Sequence, residues 1–150
     1  MITESGIGYM AMCLKAIEIQ ENWQPKENDL MAIQYMNEER YTIIRPHKPC
    51  SVFDVYELQS YIGERYHFVI WLPRQEDLQK IYKVNFMPDT LRSMLKDFKS
   101  FVWRNSELMS DEFDVYPMNE CMTMEQLWLC FIMKILYGKI WEDGNWIKVD

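Results

Sequence analysis

Thr123-Met-Glu-Gln-Leu-Trp-Leu-Cys-Phe-Ile-Met-Lys-Ile-Leu-Tyr-Gly138 is the stretch on which the fold turns. Thr123 and Gln126 have capping-box spacing, in which each side chain takes a backbone N–H that the first helical turn leaves free. Gly138 supplies the left-handed residue that ends such a helix. Between Leu127 and Tyr137 only Lys134 is polar. A helix apolar on nearly every side must be enclosed, at the centre of a domain or against a second chain. Directly after it, Ile140-Trp141, Asp143-Gly144-Asn145 and Trp146-Ile147 predict a terminal hairpin turning at Asp-Gly.

Working back from that helix, residues 105–119 form an acidic connector with a strand predicted at Phe113 to Tyr116. Before it, Leu91, Met94, Leu95, Phe98, Phe101 and Val102 recur at three- and four-residue steps. With Arg92, Lys96, Asp97 and Lys99 opposite, this is the best amphipathic helix of the chain. Pro73 opens another, with Glu76 and Asp77 suited to its N-terminal dipole and Leu78, Ile81 and Tyr82 as its apolar face. Tyr66 to Leu72 reads as a buried strand. Leu30 to Tyr35 and Tyr41 to Arg45 are β-rich segments flanking a hairpin loop at Asn37-Glu38-Glu39, and Pro46 and Pro49 end the second. At the N-terminal end, Ile7, Met10, Leu14 and Ile17 predict one stripe of a helix over 6–20, with Lys15, Glu18 and Glu21 on its wet side. Pro25 and Asn28-Asp29 mark the turn after it.

No internal repeat or interdomain linker interrupts this order. The expectation is one α+β domain over 1–150: a small antiparallel sheet, three to four helices and a short C-terminal hairpin. The 150 residues are enough for a core without covalent staples, and 49% apolar with 26% charged is ordinary for a globular chain.

Charge narrows the function. Sixteen basic against twenty-three acidic residues leave −7. No basic residue falls between Arg104 and Lys134, a window that holds Glu107, Asp111, Glu112, Asp114, Glu120 and Glu125. Such a segment repels phosphates, so direct nucleic-acid binding is not expected. The first residues lack a basic start and an apolar stretch, and the longest apolar run, Leu127 to Met133, is too short for a bilayer. A cytoplasmic protein without membrane attachment is expected. Cys13, Cys50, Cys121 and Cys130 are read as thiols.

Catalytic and metal signatures are thin. His47-Lys-Pro-Cys50 offers two ligand types, but Cys121 and Cys130 are too far apart for a zinc knuckle and Cys130 lies inside the apolar helix. His67 alternates with apolar neighbours, as a hydrogen-bonded strand histidine does. Asp111, Glu112 and Asp114 lack the glycine that a calcium loop needs, since none occurs between 64 and 137. Dinucleotide, phosphate-loop and nucleophile-elbow motifs are absent. No cofactor and no metal is expected, and nothing points positively to an enzyme.

Six tryptophans are the unusual feature. Trp71, Trp103 and Trp128 lie in or beside apolar segments and are expected in the core. Trp23, Trp141 and Trp146 adjoin turns and are expected to be partly exposed. Aromatic residues and Met are enriched at protein contacts. The candidate contact residues are therefore Trp23, Trp71, Arg74, Trp128, Trp141 and Trp146.

Lys15-Ala-Ile-Glu-Ile-Gln-Glu-Asn-Trp-Gln-Pro-Lys26, Ile70-Trp-Leu-Pro-Arg-Gln-Glu-Asp-Leu-Gln79, Met124-Glu-Gln-Leu-Trp-Leu with Tyr137-Gly-Lys, and the Trp141-Glu-Asp-Gly-Asn-Trp146 ending together resemble small bacteriophage and prophage proteins. The resemblance implies a bacterial cytoplasm and an accessory phage role, and brings no catalytic residue. The leading expectation is an accessory protein acting by protein contact, self-association included. One alternative is a small-ligand-binding or hydrolytic protein with an aromatic-lined pocket near Trp71, Arg74 and Trp128. Another is an acidic decoy of a DNA-binding protein, with residues 107–125 as its carboxylate face.

Overall fold

The computed structural model describes residues 4–24, 26, 28–35, 41–44, 66–104 and 123–149. In chain order the elements are α1 (Glu4–Lys15), α2 (Ile17–Glu21), β1 (Met31–Tyr35), β2 (Tyr41–Ile44), β3 (Tyr66–Trp71), α3 (Gln75–Phe86), α4 (Leu91–Arg104), α5 (Met124–Tyr137), β4 (Lys139–Glu142) and β5 (Asn145–Lys148). Helices and antiparallel sheets are segregated along the chain, an α+β fold. The predicted loop at 37–39, the strand at 113–116, His47, Cys50, Cys121 and the acidic stretch 107–120 lie outside the described residues. The chain divides into two compact units, Met1–Met12 with Arg74–Asp150, and Cys13–Pro73.

In the Cys13–Pro73 unit three strands make an antiparallel sheet in the order β2-β1-β3. Met31 faces both Ile44 and Trp71 in register, and Ile33 faces Thr42 and Val69. Met31, Ala32 and Ile33 are all buried, which marks β1 as a central strand covered on both faces.

One helix was expected over 6–20; instead the chain breaks at Ala16, whose φ of −81° and ψ of 68° leave the helical region. This break is the source of the additional helix. It also changes the buried face: Met12, Cys13, Ala16 and Ile19 are buried, whereas Leu14 and Ile17 of the predicted stripe are exposed.

The other unit is built around α5, as the capping signals require. Thr123 Oγ1 accepts from Gln126 N at 3.1 Å, and Gln126 Oε1 accepts from Thr123 N at 2.9 Å. Gly138 closes the helix at φ 62°. α5 packs against α3, α4 and β4, and Trp128, Leu129, Cys130, Phe131, Ile132 and Met133 are all buried. The protein's own chain therefore encloses these six side chains of the apolar helix, while Met124 and Ile135 remain exposed. Asp143 and Gly144 both have positive φ, the two-residue turn that matches strand twist, and β4 pairs with β5 through Trp141 and Trp146.

Candidate contact surface

Tryptophan organises both units. In the Cys13–Pro73 unit the rings of Trp23 and Trp71 stack with centroids 5.8 Å apart and planes 4° from parallel. Trp23 Nε1 donates to Asp29 Oδ2 at 2.8 Å, and Lys26 N donates to the same oxygen at 2.8 Å, so this buried carboxylate organises the turn. Trp71 is buried, and among the described residues its indole N–H has no acceptor.

Gln20 completes that centre. Leu72 N bonds to Leu30 O, so in the antiparallel ladder the N–H and C=O of Trp71 point away from β1. The Gln20 carboxamide meets both: Oε1 accepts from Trp71 N at 2.9 Å, and Nε2 donates to Trp71 O at 3.0 Å. The same Nε2 lies 3.1 Å from Cys13 O, the carbonyl at the helix break. One side chain thus pairs a strand edge as another strand would and satisfies the end of α1.

In the other unit Trp128 is wholly buried, stacked on Phe98 at 4.1 Å and edge-on to Phe131 at 5.6 Å. Trp141 is buried too, which corrects the expectation of partial exposure: across the hairpin its ring centroid lies 5.1 Å from that of Trp146. Trp146 is half-buried and donates from Nε1 to Met12 O at 2.9 Å. Arg74 precedes α3, where its side chain approaches Glu76 at 3.2 Å and Asp77 at 3.5 Å, while Asp77 Oδ2 accepts from Arg74 N at 2.9 Å. Trp23 and Trp71 belong to one unit; Arg74, Trp128, Trp141 and Trp146 belong to the other. Five of these six side chains are spent on packing or hydrogen bonds within their own unit, and Arg74 on the entry to α3.

Trp103, expected in the core, is 58% exposed near the end of α4. It is not isolated. Where α3 turns into α4, Val84 is 73% exposed, Met87 79% and Leu91 57%, and Phe86 and Leu95 are exposed as well. Exposed apolar residues scattered singly are normal, but five within twelve residues at one helix corner form a patch. Met87 sits at φ 43°, a left-handed position normally held by Gly or Asn, where a Cβ costs about 1 kcal/mol.

Tyr82 of α3 is buried, donates its hydroxyl to an Asp97 carboxylate oxygen of α4, and stacks on Phe131 of α5 at 5.5 Å. Burial, with the Asp97 carboxylate beside it, pushes the Tyr82 phenol up to about 12. Sequence reading did not single out Val84 or Met87. The signals were present: Val84 lies off the apolar stripe of α3, and Met87 precedes Pro88 where a turn glycine would be usual.

Among the described residues no cluster of His, Cys, Asp and Glu is arranged to hold a metal ion, and no helix is long and apolar enough to cross a membrane. Cys13 and Cys130 are buried thiols. Comparison of the chain with protein-family models, curated proteins and solved structures finds no match.

Proposed function

We propose that this chain is a phage or prophage accessory protein that works by protein contact, self-association included, through the α3–α4 corner. The reading no longer draws on the apolar α5, which its own chain covers. It is carried by the outward set Val84, Met87 and Leu91 on a corner braced by Tyr82 and Asp97. Exposed apolar side chains bury well on docking, and a methionine among them adapts its shape to the partner surface.

Met87→Gly separates contact from folding. Glycine removes the strained side chain, so the monomer gains about 1 kcal/mol or a few degrees of melting temperature. The lost side chain weakens association by about tenfold, read by sedimentation equilibrium across micromolar concentrations. A wild-type chain that stays monomeric throughout, or association indifferent to Met87, would overturn the proposal.

A further inference from the structure

Among the described residues the fold hides most of its oxidisable sulfur. Met12, Met31, Met94 and Met133 are at most 1% exposed, and the thiols of Cys13 and Cys130 are wholly buried. Met10 is half-buried and Met124 is 45% exposed. Met87 is the outlier at 79%. Its backbone accounts for that exposure: the left-handed φ of 43° takes it off the helical rows along which side chains shield one another. Its N–H caps α3 by donating to Lys83 O at 2.9 Å, a main-chain bond that chemistry at the sulfur leaves intact.

We propose that Met87 is a site of reversible oxidation by hydroperoxides. The thioether sulfur attacks the terminal peroxide oxygen. An S–O bond forms, the O–O bond breaks, and the proton passes to the departing oxygen, which leaves as water or an alcohol. Sulfur loses the two electrons that the peroxide gains. A dithiol reductase reverses the step, releasing the oxygen as water and becoming a disulfide. At Met94 or Met133 the same reaction would place a polar sulfoxide in the core, whereas Met87 already faces water. Resting on the contact reading of the corner, the sulfoxide also switches association off, because a flexible apolar anchor becomes polar.

Dilute hydrogen peroxide acting on the full folded chain, with oxygen uptake followed peptide by peptide in mass spectrometry, tests the site. Among the described residues Met87 should oxidise first, about twofold faster than Met124 and about tenfold or more faster than Met12, Met31, Met94 and Met133, in the order of their exposure. In urea the spread should collapse, because the fold and not the local sequence does the shielding. The Met87 sulfoxide should melt within a few degrees of the reduced chain. Core methionines that keep pace with Met87 in the folded chain, or Met124 running ahead of it, would overturn the site. Sedimentation then reads the switch: association should fall about tenfold on oxidation and return on reduction, and that of Met87→Leu should be indifferent to peroxide. Selective oxidation that leaves wild-type association unchanged overturns the switch and spares the site. A chain already monomeric before peroxide overturns the contact reading, and the switch with it, while the site stands on the mass spectrum.

Discussion

Gln20 shows how much one residue can organise. Its carboxamide has one acceptor and a donor pair, and the edge of β3 at Trp71 offers the matching N–H and C=O. Removing it strands two backbone groups at a sheet edge and takes one of two donors from the Cys13 carbonyl, which keeps Ala16 N. Each unsatisfied group costs about 1–3 kcal/mol, discounted where water reaches it. Gln20→Ala should therefore lower unfolding free energy by about 2–3 kcal/mol in urea titrations. Gln20→Glu should cost nearly as much, because a carboxylate cannot donate to Trp71 O. A loss below about 0.5 kcal/mol for both variants would show that the clamp is not holding the sheet edge. None of this was legible in the sequence. Ala16 is the best of helix formers, and the break is imposed by partners 51 residues away. The exposed Trp103 and buried Trp141 were misplaced for a related reason: apolar neighbours in sequence do not say whether a facing element covers the ring. Trp141 gains its cover from Trp146 across the hairpin.

Whole elements were read more successfully where their ends carry their own chemistry. Thr123 with Gln126, Gly138, and Asp143-Gly144 are local devices, so α5 and the terminal hairpin followed from spacing alone. α4 was recognised as amphipathic, yet Leu91 and Leu95 on its predicted apolar side are exposed, because a periodicity cannot say how far the neighbouring helix extends. What braces α3 against α4 is the Tyr82–Asp97 bond, and its titration gives that element pair a pH signature. The Tyr82 phenol is raised from 10 to about 12, so the folded state favours the neutral form. Its contribution is complete below pH 10 and is lost as pH rises from 10 through 12. Tyr82→Phe should be about 1 kcal/mol less stable at neutral pH, and the gap should close above pH 10. Denaturant titrations of the two chains from pH 8 to 12 measure it. A gap that stays constant across that range would remove Asp97 and burial as the cause.

On the scale of the molecule, aromatic packing is turned inward, and the proposed contact falls to a short helical corner. The chain spends Trp71, Trp128 and Trp141 on its interior, and exposes Val84, Met87 and Leu91. The sequence-based argument looked for a contact surface among the tryptophans because they bury the most area. The surface proposed here lies where smaller residues depart from the helical stripe, a weaker signal that becomes visible only once α3 and α4 are folded against α5. Hydrogen exchange of the full chain at low and at high micromolar concentration locates the contact without any substitution. Slowed exchange at amides within 84–95 on concentrating the protein is the result predicted; slowed exchange confined to other segments, with 84–95 unchanged, would contradict it.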